Sequence, residues 1–321
     1  VGYQAGKYIT TGDNNTIIGR QNTGGISTGS NNTLIGQGVG AGGSNTTRTY
    51  SGNTFIGYNM AQECTSGSFN VAIGKGAAND LTTGEYNIYI GQNAGYAAAG
   101  AGYQLGIGQD ALRSCTRYHL GSECIALGYK ALEDNSTGGA NIAIGHKALS
   151  GNTIGATNIA IGNSCNTATG SASNNITIGY WTGKVITGED NLLMGSYTGY
   201  QATSAAANTC IGYSSASALT TGDNNTSLGH NSGGDLTTGS YNVLLGHDAG
   251  KGGLSPSGSV TTQNGIICLG DSNITDFYCE DTSISSSDKR DKTDIADFTH
   301  GLKWINQLKP VTYRWDKRTW Y

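Results

Sequence analysis

Ser287 and Lys292 are the two residues whose types and spacing best suit a covalent reaction. A serine hydroxyl is a weak nucleophile that needs a neighbouring base. A lysine amine can be that base only where loss of water lowers its pKa towards neutrality. From residue types alone, the strongly charged run from Ser287 to Ile295 is better interpreted as a solvated helix start, with Ser287 as its N-terminal cap.

Aromatic residues provide a second candidate chemistry, the binding of sugars. Trp181 and Tyr197 occupy equivalent positions in neighbouring sequence repeats, and Tyr180 and Tyr200 lie close by. Exposed aromatic rings suit the apolar faces of sugar rings. The alternative interpretation is that these rings cover turns or a seam between chains.

An insertion into the repeats is a third candidate. The segment from Arg113 to His119 is the most basic and aromatic loop in an otherwise acidic region. Loops that interrupt a regular repeat are common sites of recognition, although loops also vary without function. We expect Arg113, Arg117 and Tyr118 to form a second candidate binding surface.

No metal or cofactor is predicted. His230 and His247 share one position in adjacent repeats and could bind a metal or sense pH, but surface polar residues are the favoured interpretation. The seven cysteines match no zinc-site spacing. We expect free thiols, with a Cys115–Cys124 bridge as the alternative. Phosphate-binding loops, calcium loops and catalytic triads have no convincing match.

These candidates are carried by a repeat whose clearest copy is Asn141 to Gly145, which reads Asn, apolar, variable, apolar, Gly. The closing residue, here called the marker glycine, occurs sixteen times, and eleven of the fifteen intervals are 17 residues long. This fixed period predicts a solenoid with one coil per repeat. The markers are Gly2, Gly19, Gly36, Gly57, Gly74, Gly91, Gly108, Gly128, Gly145, Gly162, Gly179, Gly195, Gly212, Gly229, Gly246 and Gly270.

Each repeat is predicted to contain a short β-strand. The positions three and one before the marker, called −3 and −1, are apolar or Thr, as in Ile142 and Ile144. This alternation predicts that both side chains pack inwards. The residue between them, at −2, should then face outwards, yet it is often apolar, as in Ala143 and Leu193. We therefore expect another chain to cover that face, which predicts an oligomer.

Asparagine stands at −4 in twelve of the fifteen complete repeats. Side-chain amides at one position of stacked coils can hydrogen-bond from coil to coil, so a ladder is predicted. Acidic residues near −7 follow Thr-Gly and are better interpreted as turn residues than as acid–base catalysts. The ladder residues considered most secure are Asn141, Asn158, Asn175, Asn208, Asn225 and Asn242.

Composition supports an elongated protein with a thin core. The 52 glycines are in phase with the repeat, which excludes collagen and simple disorder. Residues 287–321 carry a net charge of +3 and residues 1–286 carry −7, which argues against nucleic acid or membrane partners. We predict a shaft over 1–270, a linker over 271–286 and a separate domain from 287 onwards. Because the chain starts inside a repeat, we expect it to be a fragment.

The repeats resemble the head repeats of trimeric autotransporter adhesins, which also place Ile-Gly-x-x-Ala after the asparagine, as in Ile144-Gly145-His146-Lys147-Ala148. Those adhesins form a parallel β-roll of three chains, with coils a few residues shorter. The resemblance implies an all-β fold, a parallel β-roll or β-helix solenoid of about 17-residue coils, and a homotrimer. Similar longer repeats are familiar in tail-fibre-like proteins of phages.

Residues 287–295, Ser-Asp-Lys-Arg-Asp-Lys-Thr-Asp-Ile, resemble the start of the intramolecular chaperone of phage endosialidases, the S74 peptidase family. The family domain is α/β, trimerises, guides folding of the shaft and cuts itself off. The resemblance implies cleavage between Ser286 and Ser287, with Ser287 as the nucleophile and Lys292 as the base. That would be one turnover on the chain itself, with no external substrate.

Together the resemblances imply the structural and receptor-binding shaft of a phage tail fibre or tail spike, located in the virion. The expected partners are other tail proteins and a glycan or protein receptor on the host cell. A trimeric adhesin on a bacterial surface is the alternative. A polysaccharide-degrading spike is less favoured, because paired carboxylates away from the turns are not found in this sequence.

Overall fold

The computed structural model describes residues 1–278, apart from residues 23–26, 43–46, 117–122, 169, 254, 256 and 277. The chain divides into two compact units, Val1–Thr275 and Asp276–Tyr321. Most of the predicted linker and the whole of residues 287–321, with their expected α/β fold, lie outside the described residues.

The first unit is a parallel β-solenoid, as the repeat predicted. All its strands belong to one sheet, in which each strand pairs with the next one along the chain. The described residues contain no α-helix. The strands are β1 Thr16–Arg20, β2 Thr33–Gln37, β3 Thr54–Tyr58, β4 Val71–Ile73, β5 Ile88–Ile90, β6 Leu105–Ile107, β7 Ile125–Leu127, β8 Ile142–Ile144, β9 Ile159–Ile161, β10 Ile176–Ile178, β11 Leu192–Met194, β12 Thr209–Ile211, β13 Thr226–Leu228, β14 Val243–Leu245 and β15 Ile267–Leu269.

The marker glycines allow neighbouring coils to lie close together. Gly145 has a φ of 132°, in the region that side chains disfavour. A Cβ added to Gly145 would collide with the carbonyl oxygen of Gly162 on the next coil. The same position therefore needs glycine on two counts, backbone conformation and space. This explains why the spacing of this one residue predicted the fold.

The prediction of which strand face is buried was wrong. From β2 to β15, the residue at −2 is buried, while those at −3 and −1 are half-buried or exposed. In β8, Ala143 is buried, and Ile142 and Ile144 point out of the coil. Sequence reasoning assigned the more aliphatic pair to the interior, because aliphatic side chains favour burial. The coil interior is narrow and takes only the central side chain of each strand.

The interior accommodates large side chains where a neighbouring coil leaves room. Tyr89, at −2 in β5, is fully buried. A Cβ on Gly106, at −2 in β6, would lie 3.2 Å from Cδ1 of Tyr89, and a Cβ on Gly95 would collide with the same ring. The tyrosine ring therefore fills space that two glycines leave open. Within the described residues its hydroxyl has no hydrogen-bond partner, and burial raises the pKa of Tyr89 well above its usual range.

The asparagine side chains at −4 form a buried hydrogen-bonded column. Oδ1 of Asn141 accepts hydrogen bonds from the backbone N–H of Asn158 at 2.9 Å and from its Nδ2 at 3.1 Å. Nδ2 of Asn158 also donates to the carbonyl oxygen of Ala172 at 2.7 Å. The pattern is repeated from Asn191 through Asn208 and Asn225 to Asn242. Each amide thus joins two coils and holds a turn.

Cysteines serve as small interior side chains in the described part of the chain. Six of the seven are described, and all six are buried, including Cys115 and Cys124. Burial raises the pKa of Cys210 to about 12. The Cys210 thiol is therefore a poor nucleophile at neutral pH, because the thiolate is the reactive form.

Candidate functional site

Five aromatic side chains gather on one side of the coils that follow β10, β11 and β12. Tyr180 and Trp181 come directly after marker Gly179, Tyr197 and Tyr200 follow Gly195, and Tyr213 follows Gly212. The structure therefore brings together the residues named from the sequence, which are Tyr180, Trp181, Tyr197 and Tyr200, and adds Tyr213. We call these five residues the aromatic patch.

The rings of the aromatic patch contact one another in two arrangements. Trp181 stacks on Tyr180, with ring centres 4.9 Å apart and planes 14° apart, and on Tyr200 at 5.8 Å and 24°. Tyr197 meets Tyr180 and Trp181 nearly edge-on, at 5.5 and 5.8 Å. Tyr213 extends the patch by contacting Tyr197 at 5.9 Å. The result is a continuous surface of rings instead of five separate ones.

Trp181 and Tyr197 sit at the second position after their markers, where the backbone is left-handed, with φ of 55° and 60°. Other coils use polar residues there, either small, such as Asn93 at 54°, or long, such as Lys130 at 56°. This conformation is uncommon for bulky residues and costs about 1 kcal/mol or more. The backbone conformation therefore does not favour the two aromatic residues over a polar one.

Lys184 adds a positive charge to the aromatic patch. Its Nζ lies 4.4 Å from the ring centre of Trp181 and 5.4 Å from that of Tyr200. Such cation–π contacts hold an ammonium group over aromatic faces. Partial loss of hydrating water is the largest cause of the raised pKa of Tyr197. The neighbouring Tyr180, Tyr213 and Tyr200 raise that pKa further. Tyr197 therefore stays neutral at physiological pH and keeps a phenol hydroxyl that can donate a hydrogen bond.

A surface cleft of about 270 Å³ opens beside the patch. Its volume is near the lower end of the ~300–1,000 Å³ typical of small-molecule sites. Aromatic rings form part of the wall, and amide and hydroxyl groups form the rest. Apolar faces next to several hydrogen-bonding groups are the combination that a sugar needs. The lining residues are Tyr197, Tyr200, Gln201, Tyr213, Ser214, Ser217 and Ala218.

The other candidate surface is only partly described. Arg113 is exposed, and its Nη1 lies 3.6 Å from Oε1 of Glu133. Lys130 approaches the same oxygen at 2.8 Å. Part of the positive charge predicted for this loop is therefore paired within the shaft. Arg117 and Tyr118 lie outside the described residues.

Histidines continue the column of rings beyond the aromatic patch. Tyr213, His230 and His247 each directly follow a marker glycine and stack on successive coils. The ring centres are 5.4 and 5.0 Å apart, with planes 9° and 6° apart. The donor atoms of His230, His247 and Asp248 all lie within 4.8 Å of one another, so these residues could hold a metal ion.

Ser286, Ser287 and Lys292 lie outside the described residues, so their predicted roles have no geometry. Comparison with family models matches residues 287–319 to the chaperone of endosialidase, the S74 peptidase family. Neither the comparison with curated proteins nor that with solved structures gave a match. Among the described residues, no helix is long and apolar enough to span a membrane.

The C-terminal match agrees with the S74 resemblance deduced from residues 287–295. A parallel β-solenoid followed by an S74 chaperone segment fits a protein of the tail-fibre or tail-spike type. The comparisons do not identify the adhesin-like repeats.

Proposed function

We propose that this chain is the shaft of a trimeric phage tail fibre or tail spike, and that it presents a receptor-binding surface. The observation that carries the proposal is the S74 match over residues 287–319, which follows a solenoid of fifteen parallel strands in the sequence. A chaperone that assembles and registers long shafts has a clear use next to such a solenoid. The shaft works in the virion, where it contacts other tail proteins.

The outer face of the sheet supports the trimer. Its −1 column holds Ile or Leu in fourteen of the fifteen strands and Met194 in the other, and many −3 positions are Ile, Leu or Val. Fifteen strands about 4.8 Å apart, with two columns about 7 Å apart, make an apolar face on the order of 500 Å². A patch of this size is comparable with the largest apolar patch on a typical soluble monomer, and such patches are often contact surfaces. Two further copies of this chain would cover it.

Three such shafts must align coil by coil, and the repeat makes the correct alignment hard to select. Successive coils are so similar that a shift by one whole coil replaces most contacts with equivalent ones, such as Ile142 with Ile159. Slippage therefore has a small energetic cost. A C-terminal domain that first joins three chains at the same residue fixes the register before the coils stack. The S74 segment supplies that starting point in this proposal.

Self-cleavage would release the chaperone once the shaft is complete. Oγ of Ser287 adds to the carbonyl carbon of Ser286, and Lys292 accepts the hydroxyl proton. The C–N bond then breaks, the proton passes to the leaving amine, and water hydrolyses the remaining ester. The alternative is that Ser287 caps a solvated helix and the segment remains attached.

Host recognition is assigned to the aromatic patch and its cleft. The ligand class that fits is a surface glycan, because its rings would lie on Trp181 and Tyr197 while its hydroxyls reach Gln201 and Ser214. A protein receptor is the second candidate partner, since exposed tyrosine and tryptophan also favour protein contacts. A trimeric bacterial adhesin is the alternative for the whole molecule, because the apolar outer face supports it equally.

The intact mass of the full-length gene product tests the proposal. We expect the wild-type shaft to end at Ser286, while Ser287→Ala and Lys292→Ala variants remain whole. Ser283→Ala, a change in the same serine-rich run, serves as the matched control and should be cleaved normally. If wild type stays whole, the self-cleaving chaperone is excluded, and the adhesin becomes the better reading.

A further inference from the structure

The column of rings ends, at the C-terminal end of the solenoid, in two histidines and two carboxylates. Asp271 directly follows the last marker, Gly270, and so continues the positions of His230 and His247 on the next coil. Twenty-four residues separate His247 from Asp271, because the loop between β14 and β15 is enlarged. The fold nevertheless brings Oδ2 of Asp271 to 2.9 Å from Nδ1 of His247.

A second carboxylate approaches the same nitrogen. Oδ2 of Asp248 lies 3.2 Å from Nδ1 of His247. Asp248 is only 5% exposed, whereas the side chain of His247 is 58% exposed. Oδ1 of Asp248 has no hydrogen-bond partner among the described residues, and Nζ of Lys251 remains 3.9 Å away. A buried carboxylate whose negative charge has few partners lowers the stability of the fold, and a bound cation would offset that loss.

Asp271 is held in place independently of the histidines. The backbone N–H of Asn273 donates to its Oδ1 at 2.9 Å, and Nδ2 of Asn273 donates to its Oδ2 at 3.0 Å. Hydrogen bonds of this kind orient a carboxylate that ligates a metal. Together with the buried Asp248, this gives two oxygen donors beside two exposed imidazoles.

We propose that His230, His247, Asp248 and Asp271 form a binding site for a divalent transition metal, with zinc as the best match. Two imidazoles and one or two carboxylates are a donor set that zinc accepts at about 2.0–2.2 Å, usually in tetrahedral geometry. Calcium and magnesium are disfavoured by the same set, because both are hard cations that prefer oxygen ligands to imidazole. His230 has to move closer to the other donors by at most about 1.5 Å, to the ~3.3 Å spacing of tetrahedral ligands.

The metal would tie together the last coils of the shaft. Its ligands follow β13, β14 and β15, so one ion would bridge three successive coils. The ends of a solenoid lack a neighbour on one side and require a cap. An ion that binds only the folded coils stabilises them, and the stabilisation grows with the logarithm of its concentration relative to the dissociation constant. The site lies where that stabilisation is most useful, next to the point at which the repeat stops.

Zinc titration of the full chain tests the site. The protein is produced without a polyhistidine tag, treated with EDTA and dialysed, then titrated with zinc chloride by calorimetry. We expect one zinc per chain, a higher melting temperature with zinc, and no response to calcium or magnesium. The absence of saturable zinc binding would overturn the proposal.

Variants locate the site. The double variant His230→Ala with His247→Ala should lower zinc affinity at least about 100-fold, and Asp271→Asn at least about tenfold. His146→Ala is the matched control, because His146 also follows a marker and stacks on Tyr129 at 5.1 Å. Melting in EDTA should remain cooperative for all variants, which shows that they fold. Equal loss of zinc binding in His146→Ala would refute the assignment.

Discussion

Ile142 and Ile159 lie opposite each other in the parallel pairing of β8 and β9, and both side chains point out of the coil. The buried residues of the same strands are Ala143 and Ala160. The larger apolar side chains therefore lie outside and the smaller ones inside. In water this arrangement is unfavourable for an isolated chain, because burying a side chain such as Ile is worth about 1.5–3 kcal/mol. It becomes favourable when another chain covers the outer face.

The asparagine column makes the shaft sensitive to a single amide. Asn158→Ala removes the acceptor of the Asn175 N–H and the donor to the Ala172 carbonyl, and both groups are then buried without partners. We expect the free energy of unfolding to fall by about 2–4 kcal/mol. Thermal or denaturant unfolding measures the effect. Asn163→Ala, at an exposed position five residues away, should change stability little. Equal melting of wild type and Asn158→Ala would contradict the ladder's role.

Tyr89 offers a test of the interior. Its hydroxyl is buried without a hydrogen-bond partner among the described residues, while its ring fills the space beside Gly106. Tyr89→Phe should therefore leave stability unchanged or raise it by up to about 1 kcal/mol. Tyr89→Ala should lower it by about 3–5 kcal/mol, because a cavity remains. If Tyr89→Phe instead strongly lowers stability in urea unfolding, the Tyr89 hydroxyl must make a stabilising hydrogen bond, which would contradict this description of the interior.

The sequence predicted the coil and its strands because one geometric requirement recurs in every repeat. Gly145 and its equivalents cannot carry a side chain, so their spacing is visible without a structure. The buried face was not predictable in the same way. For a single chain in water, the aliphatic residues at −3 and −1 are the ones expected to form the core. The sequence does not show that the coil interior is too narrow for them.

The residues of the candidate sites were also predictable only in part. Tyr180, Trp181 and Tyr197 were found because they stand at neighbouring positions of adjacent repeats. Tyr213 directly follows its marker, as Tyr180 does, and this shared position could have revealed it. Asp271 directly follows marker Gly270, as His247 follows Gly246, so this shared position could have revealed it as well.

The aromatic patch can be tested with residues that the repeat itself uses. Trp181→Asn and Tyr197→Asn suit the left-handed backbone, since Asn93 and Asn231 occupy equivalent positions. We expect the double variant to bind immobilised oligosaccharides at least about tenfold more weakly, because two ring contacts are lost. Melting temperatures should not fall.

A stacked ring elsewhere on the shaft is the control for that experiment. Tyr86 stacks between Phe69 and Tyr103 with ring centres 5.2 Å apart on each side, and Tyr86→Asn should leave sugar binding unchanged. If the wild-type shaft binds no member of a broad oligosaccharide panel, the glycan assignment is wrong, although the shaft itself is unaffected.

Charge on the outer face should separate the chains. The triple variant Ile142→Lys, Ile159→Lys and Ile176→Lys places nine ammonium groups in a trimer interface, where like charges lose water without gaining partners. We expect it to sediment as monomers. Ile154→Lys is the matched control, because Ile154 is 55% exposed and lies outside the strands. A triple variant that remains assembled would show that this face is not the interface.

Sedimentation equilibrium of the full-length protein tests whether the shaft is a trimer. It gives the ratio of the assembled mass to the chain mass, whatever the length of the mature chain. For a trimeric shaft we expect a mass ratio of three across a wide range of protein concentration. A ratio of one would mean that the outer aliphatic columns face water, and the trimeric shaft would be rejected.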